Sequence, residues 1–134
     1  MVNVYESERL RDEYLLFHYG KPDQIHIWGG GPDEAHEFPK RIVERFSPGP
    51  ADRALDLGCA VGRSAFEMSR EAGEVVAIDY SHSFVEAGKE MQKRGGCQVS
   101  RLDEGSLLDS VFVEAPSEAR PDCIKFEQGD AMDL

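Results

Sequence analysis

The sequence contains no run of apolar residues long enough to span a membrane, which takes about 20 such residues in a row. Its first residues, MVNVYESERL, also lack the basic segment and the apolar segment that together mark a secretory signal peptide. From these two absences we expect a cytoplasmic protein with no membrane partner.

Cysteine and histidine are scarce, with three of the first and four of the second. The cysteine number is odd and no two cysteines are spaced as CxxC, so nothing indicates a disulfide framework. No HExxH and no histidine–cysteine cluster occurs either, so we expect no metal site. The residues concerned are Cys59, Cys97, Cys123, His18, His26, His36 and His82.

Basic residues are outnumbered, since 15 lysines and arginines stand against 26 aspartates and glutamates, for a formal net charge of −11. A chain this acidic repels phosphate backbones, so we expect no nucleic-acid partner. Small zwitterionic or cationic ligands suit such a chain better. Apolar residues at 40% and charged residues at 31% are typical of a globular domain and not of a disordered chain.

The first part of the chain predicts two helices. The first runs from Glu6 to Tyr19 with Ser7 as its N-cap, and the second runs from Pro39 to Phe46. Residues 20–33 between them are rich in glycine and proline and predict a loop. The apolar stripes expected to face the core are Leu10, Tyr14 and Phe17 with Leu15 beside them, and then Phe38, Ile42 and Phe46. Residues 1–50 therefore predict an N-terminal helical cap.

Past a break at residues 47–50, short apolar segments alternate with helical ones. The predicted strands and helices, in chain order, are Arg53–Leu57, Ser64–Arg70, Glu74–Ile78, Ser83–Lys93 and Ile124–Glu127. Residues 97–120, before the last strand, can supply two more short strands as an inserted hairpin. The βαβαβ order is that of a mononucleotide-binding half, so we expect an α/β, Rossmann-like fold over residues 51–134.

The sharpest local pattern is LDLGCAVG, residues 55–62, which follows a predicted strand and opens a helix. Gly58 permits a tight turn there, and Gly62 permits a close approach of the helix to a ligand. The spacing is D-x-G-x-x-x-G, and not the G-x-G-x-x-G that holds the pyrophosphate of a dinucleotide. With Asp56 at the strand end, this loop suits a ligand that carries an ammonium or hydroxyl group and no phosphate.

Two further carboxylates follow the later strands. Asp79 ends the EVVAI strand, where it can accept hydrogen bonds from both hydroxyls of an adenosine ribose. Asp130, within Gly129-Asp130-Ala131, follows the third strand and can accept from an adenine amino group. Taken singly, Asp79 is as ordinary as any neighbour of a helix cap, and Gly129-Asp130 is an ordinary turn. Because parallel strands end at one edge of a sheet, we expect all three loops to meet one ligand.

These loops resemble those of the class I S-adenosylmethionine-dependent methyltransferases. Over nearly the whole chain, the sequence also resembles the methyltransferase domain of ovothiol biosynthesis, which methylates N1 of 4-mercaptohistidine. The segments that carry this resemblance are YESERLRDEYLLFHYG, FPKRIVERF, RALDLGCAVGRSAFEMSR, AIDYSHSFVEAG and FEQGDAMDL, with EYLLFHYG and LDLGCAVGR the most specific. The resemblance implies that S-adenosylmethionine is the cofactor and that its methyl group passes to an imidazole nitrogen of a thiol-histidine.

The resemblance also implies roles for particular residues. Asp56 and the Gly58 region would face the methionine end of the cofactor, and Tyr80 would cover the adenine or stand half in water. Arg63 would either meet the methionine carboxylate or be a plain surface arginine. Cys59 is expected to fit the turn as a small residue and not to act as a nucleophile. The residues expected to bind the cofactor are Asp56, Gly58, Cys59, Gly62, Asp79, Tyr80, Asp130 and Ala131.

The N-terminal helix offers weaker expectations. Tyr5, His18 and Tyr19 are candidates for contact with the thiol-histidine substrate or for closing over the cofactor. Tyr14 and Phe17, in contrast, are expected to pack against the sheet. No residue of the chain is assigned a catalytic role.

A full class I sheet has seven strands, and this chain would reach the first three, ending at Leu134. The first strand, central in the full sheet, would then lie at an edge, where unpaired backbone groups invite association. We expect a truncated product, a fragment, or a piece that pairs with a second chain or a second copy to complete the sheet.

Other functions stay open at this point. A non-catalytic module could hold S-adenosylmethionine or dock on a partner, and a methyltransferase could use another small-molecule acceptor, because the motifs define the donor better than the acceptor. A nicotinamide-dependent oxidoreductase is disfavoured by the missing G-x-G-x-x-G.

Overall fold

A computed structural model describes residues 3–25, 37–46, 50, 52–102, 105 and 107–134. The chain begins with a single 3-10 turn, Val4–Glu6, followed by helix α1, Glu8–Tyr19. Ser7 separates the two and caps α1, since its hydroxyl oxygen accepts a hydrogen bond from the amide of Leu10 at 3.2 Å. The predicted first helix and its cap are confirmed, except that the helix begins at Glu8 and that Glu6 belongs to the 3-10 turn.

A four-residue helix, α2, Pro22–Ile25, follows α1. It corrects the start of the loop predicted over residues 20–33. The proline sits in the first turn, where its missing N–H costs nothing, and the amide of Ile25 donates to the carbonyl of Lys21 at 3.1 Å. Residues 26–33 lie outside the described part of the chain.

Helix α3, Phe38–Phe46, confirms the second predicted helix but not its predicted inner face. Its buried residues are Pro39 and Val43, which lie one turn apart and face helix α4, Arg63–Met68. The stripe expected to be buried is exposed instead: Phe38 by 53%, Ile42 by 36% and Phe46 by 80%.

In the described part of the chain, three parallel strands form the main sheet in the order β1, β2, β5. They are β1, Arg53–Leu57, β2, Glu74–Asp79, and β5, Ile124–Gln128. Helix α4 joins β1 to β2, and helix α5, His82–Arg94, follows β2 with Ser81 as its N-cap. This confirms the α/β, Rossmann-like order. Strand β1 pairs only with β2 among the described residues and so lies at an edge, as expected.

An antiparallel hairpin lies between α5 and β5 in sequence, as predicted. It consists of β3, Gly96–Leu102, and β4, Leu108–Glu114. Helix α1 packs on this hairpin, where the carboxylate of Asp12 accepts the amide of Ser100 at 2.9 Å.

The contacts of α1 correct the expectation that Tyr14 and Phe17 pack against the main sheet. The Tyr14 ring lies 4.6 Å from the ring of Phe84 on α5, and Phe17 is 44% exposed. The buried residues of α1 are instead Asp12, Leu15 and Tyr19. The hairpin and α5 therefore take the place that the prediction gave to the sheet.

The ring of Phe126 on β5 fills the space between α4 and α5. A Cβ added at Gly62, before α4, would lie 2.7 Å from this ring, and one added at Gly88, in α5, would lie 2.8 Å from it. Glycine at both positions lets the two helices approach the sheet at this point. In the described ranges, no helix combines the length and the apolar character needed to cross a membrane.

Candidate functional site

The three predicted loops meet at the carboxyl edge of the parallel sheet. They comprise residues 58–62 after β1, 80–81 after β2 and 129–131 after β5. Backbone hydrogen bonds join them: the amide of Gly58 donates to the carbonyl of Ile78 at 2.8 Å, and the amide of Gly129 donates to that of Asp79 at 3.0 Å. The structure thus brings together the segments in which the sequence places the cofactor site.

The first loop has a left-handed backbone at three positions. Gly58 has a φ of +72°, Ala60 of +47° and Gly62 of +94°. No atom lies within 4 Å of the place where a Cβ of Gly58 would stand, so this glycine faces open space at the end of β1. Gly62 is different, because its close neighbour is the ring of Phe126. Helix–sheet packing is therefore a reason for glycine at this position that the sequence interpretation missed, beside the expected approach to a ligand.

The carboxylate of Asp79 holds two of these loops. One oxygen accepts the amide of Ala60 at 2.8 Å, and the other accepts the amide of Ser81 at 2.9 Å. An ionised carboxylate has about four acceptor positions, so two remain after these bonds. Asp79 is half-buried, and those positions can serve a pair of ligand hydroxyls.

Asp56, near the end of β1, is only 9% exposed, and its Oδ2 atom has no hydrogen-bond partner in the described part of the chain. Burial and then the negative charge of Asp79 raise the pKa of Asp56 from 3.8 to about 6, against the opposing effect of a hydrogen bond from the amide of Ala65. A buried acceptor without a partner, close to a second carboxylate, is suited to a cationic group.

The remaining residues predicted to bind the cofactor differ in exposure. Cys59 is buried, and burial raises the pKa of its thiol, as do the charges of Asp56 and Asp79. It is therefore a thiol at neutral pH, as its expected passive role requires. Tyr80 is 62% exposed. Asp130 is exposed and accepts the amide of Met132 at 2.8 Å, so it forms a turn within its own loop. The adjacent Ala131 is exposed as well.

The end of α1 lies against the first loop. The hydroxyl of Tyr19, a buried residue, donates to the carbonyl of Val61 at 2.8 Å. Arg63 is 8% exposed, which corrects the interpretation of it as a surface arginine. Its guanidinium donates to the carbonyl of His18 at 2.6 Å and to the carboxylate of Glu67 at 2.9 Å, and these bonds satisfy the buried charge.

His18 is half-buried beside this arginine. Burial lowers the pKa of His18 to about 4, and the positive charge of Arg63 acts in the same direction. The imidazole is therefore neutral at physiological pH. A cleft of about 860 Å³ opens next to this region, and its lining includes Tyr19, Arg63, Lys21 and Arg41.

The start of the chain contacts the second loop through residues that sequence reasoning missed. The carboxylate of Glu6 accepts the amides of His82 and Ser83, each at 2.9 Å, and the carbonyl of Tyr5 accepts the Ser81 hydroxyl at 2.8 Å. Tyr5 is 48% exposed and its ring meets Phe84 edge-on. Because 76 positions separate Glu6 from His82, no local pattern could have indicated this cap.

Metal-binding side chains are not clustered in the described part of the chain: no three of its histidines, cysteines, aspartates and glutamates come together as a metal site would require.

Comparison with known proteins finds similarity to a curated relative and to solved structures. A 67-residue segment is 33% identical to the 23S rRNA (uracil(1939)-C(5))-methyltransferase RlmD of Alkalilimnicola ehrlichii, and covers 50% of this chain and 15% of that protein. The YcgJ protein of Bacillus subtilis has 22% identity and a TM-score of 0.48, over 74% of this chain and 32% of that one. Phosphoethanolamine N-methyltransferase 1 of Haemonchus contortus, solved with phosphoethanolamine and S-adenosylhomocysteine, has 15% identity and a TM-score of 0.49, over 96% of this chain and 23% of that one.

The chain thus spans 15% of the length of the curated relative that it matches. The methyltransferase domain family matches residues 49–115, which is half of the 134 residues. That segment contains β1, α4, β2, α5 and the hairpin, and with them the first two loops of the site. The chain belongs to the methyltransferase domain family.

Proposed function

We propose that this chain binds S-adenosylmethionine at the three loops and forms the donor-binding part of a methyltransferase. The methyltransferase family uses this cofactor. The observation that carries the proposal is the pair of carboxylates at the ends of neighbouring strands, Asp56 without a partner for Oδ2 and Asp79 with unused acceptor positions. The open space over Gly58 lies at the same edge.

The residues present fit the chemistry of this cofactor. The ammonium group of its methionine part and its sulfonium are cationic, and two carboxylates with no cation paired to either in the described chain supply the opposite charge. Its ribose offers two hydroxyls, which match the free acceptor positions of Asp79. We assign the nucleoside end to Asp79, Tyr80, Asp130 and Ala131, and the methionine end to Asp56, Gly58, Cys59 and Gly62.

S-adenosylmethionine, when bound, would supply a methyl group on a positively charged sulfur, to which a nucleophile can bond in line as the carbon–sulfur bond breaks and S-adenosylhomocysteine leaves. The contribution of this chain is to hold that group in place, because alignment of the reactants supplies much of the rate in such a transfer. Asp79 fixes the first loop through Ala60, and Tyr19 fixes it through Val61. Buried Asp56 keeps its acceptor oxygen away from water.

We further propose that the methyl acceptor is an imidazole nitrogen of a mercaptohistidine, as in ovothiol biosynthesis. The support is the sequence resemblance, whose specific segment EYLLFHYG ends in His18, Tyr19 and Gly20. The hydroxyl of Tyr19 donates to the loop that would face the methyl group, and the carbonyl of His18 accepts from Arg63, the residue after that loop. Tyr5, His18 and Tyr19 remain our candidates for contact with the substrate. An acceptor imidazole must be neutral to attack, and the neutral His18 beside it adds no repelling charge.

The test is calorimetric titration of the purified chain with S-adenosylhomocysteine. We expect saturable binding that Asp79→Ala abolishes and that Asp122→Ala, a change at an exposed aspartate away from the site, leaves intact. Absence of binding by a chain with a cooperative unfolding transition would refute the cofactor assignment. Transfer of labelled methyl to 4-mercaptohistidine, compared with histidine, then tests the acceptor.

We also propose that other strands complete the sheet, from a second copy or a second chain. The support is that β1 has a free edge in the described structure and that Leu55 and Leu57 on it are 54% and 46% exposed. Sedimentation equilibrium tests this, since a monomer at every concentration contradicts self-association. A cytoplasmic location is proposed with it, supported by three cysteines that are all free thiols.

A further inference from the structure

The N-terminal segment, residues 3–19, is attached at both ends to the loops of the candidate site. At its start, Glu6 accepts two amides from the first turn of α5, and the Tyr5 carbonyl accepts the Ser81 hydroxyl. At its end, Tyr19 donates to Val61 in the first loop. The segment therefore spans from the loop after β2 to the loop after β1.

The contact at Glu6 has a clear physical basis. The first amides of a helix lack partners within the helix, and the helix dipole favours a negative charge at that end. Ser81 satisfies one of them by accepting the amide of Phe84 at 3.1 Å, and Glu6 satisfies the amides of His82 and Ser83. Hydrogen bonds to a carboxylate are stronger than those between neutral groups. The same bonds lower the pKa of the Glu6 carboxyl.

These bonds act on residues that adjoin the candidate ribose site. Ser81 is next to Tyr80 and donates its own amide to Asp79, so the position of the first turn of α5 determines where the Asp79 carboxylate points. The ring of Tyr5 stands against Phe84 in the same turn, with centroids 6.0 Å apart. A change in the conformation of this turn would displace the Asp79 carboxylate, the proposed acceptor of the ribose hydroxyls.

We propose that Glu6 is a positioning residue for the nucleoside half of the cofactor site, and that it acts through the first turn of α5 on Asp79 and Tyr80. This inference rests on the proposed function. It assigns the other end of the segment a different effect, because the hydroxyl of Tyr19 donates to the loop that faces the methionine half.

Two ligands distinguish the nucleoside half of the site from the methionine half. Adenosine carries only the nucleoside, and S-adenosylhomocysteine carries both parts. We expect Glu6→Ala to weaken the binding of both ligands by about tenfold, and Glu6→Gln, which keeps one acceptor oxygen, to weaken both by less. Tyr19→Phe should weaken S-adenosylhomocysteine alone. Glu8→Ala, which removes the same charge from an exposed neighbour, should change neither. Titrations by calorimetry and by ligand-observed NMR give the dissociation constants.

Each outcome has a distinct meaning, provided that the titrations are run well below the unfolding midpoint of every variant. A Glu6→Ala chain that binds adenosine as tightly as wild type overturns the role of Glu6 and leaves the proposed function standing. Equal losses of affinity from Glu6→Ala and Glu8→Ala also overturn the role of Glu6, because they would reflect the loss of a negative charge alone. A wild-type chain that binds neither ligand overturns the proposed function and this inference with it.

Discussion

The amide of Ala60 donates a 2.8 Å hydrogen bond to the carboxylate of Asp79, although 19 positions separate the two residues. Ala60 has a φ of +47°, and a left-handed backbone costs a residue with a side chain about 1–2 kcal/mol. The bond to Asp79 offsets part of that cost. Asp79, to which we assign ligand binding, therefore also holds the neighbouring loop, and experiments have to separate these two roles.

The first prediction concerns this bond. Asp79→Asn should lower the free energy of unfolding by about 1–3 kcal/mol, because the new amide presents a donor to one of two backbone N–H groups. Urea denaturation measures the change. Asp122→Asn, at an exposed position, is the matched control and should be nearly neutral. Equal values for the two variants would mean that the carboxylate does not hold the loop.

The second prediction concerns pH and Asp56. Burial and then the charge of Asp79 raise its pKa from 3.8 to about 6, so ionisation costs the folded state more than the unfolded one. The contribution of Asp56 to the free energy of unfolding should therefore fall as the pH rises through this window. Asp56→Asn removes that loss, and the variant should gain up to about 3 kcal/mol on the wild type between pH 4 and pH 6. Parallel curves for the two proteins would contradict the assignment.

His18 should show the opposite dependence. Burial and then Arg63 lower its pKa from 6.5 to about 4, so the unfolded chain binds the proton first as the pH falls. The contribution of His18 to the free energy of unfolding is present in full above pH 6.5 and is lost as the pH falls to 4. His18→Gln should remove this contribution, so that the free energy of unfolding of the variant rises less with pH over this range than that of the wild type. A variant as steep as the wild type would show that His18 is protonated without penalty in the folded state.

The packing of Phe126 makes a fourth prediction. Gly88→Ala places a Cβ 2.8 Å from its ring and should destabilise the protein by about 1–3 kcal/mol, even though alanine favours helices. Combination with Phe126→Leu should cost less than the two single changes added together, because the smaller side chain leaves room. Additive losses in this double-mutant cycle would show that the two positions do not touch.

The fifth prediction concerns the reactivity of the cysteine thiols. Cys59 and Cys97 are 3% and 7% exposed, and burial raises the pKa of Cys97 to about 11. Cys123 is half-buried. A disulfide reagent at pH 8 should therefore modify Cys123 first and the other two only as the protein unfolds, because the thiolate is the reacting form. Cys123→Ser should abolish the fast phase, and a fast phase that persists would place another thiol at the surface.

Sequence reasoning located best those elements that have a distinctive hydrophobic pattern or capping residues at their ends. Strand β2 is a continuous β-branched run, and α5 has Ser81 before it and Gly95 after it, so the boundaries came within a residue or two. The three loops of the site followed from the order of the strands. Each of these signals is local, and local signals are what a single sequence displays.

The misplaced features depend on contacts between distant residues. The stripe of α3 was read from Phe38, Ile42 and Phe46, but α4 covers the face with Pro39 and Val43. Arg63 looked like a surface residue because nothing near it in sequence indicates that the carbonyl of His18, 45 positions away, accepts from it. Burial of a charge is decided by its partners, and those partners are found only in the folded chain.

The hairpin that lies between α5 and β5 closes at its base, where the amide of Ala115 donates to the carbonyl of Gly95 at 2.9 Å. Its strands hydrogen-bond to each other and not to the parallel sheet. Matched pairs of residues could therefore be added to or removed from the two strands without a change in the three loops of the candidate site. A single residue inserted in β3 would instead turn the buried Val99 outward and break its pairing with Val111. Differences in hairpin length among related proteins should therefore occur at the turn and not within the paired strands.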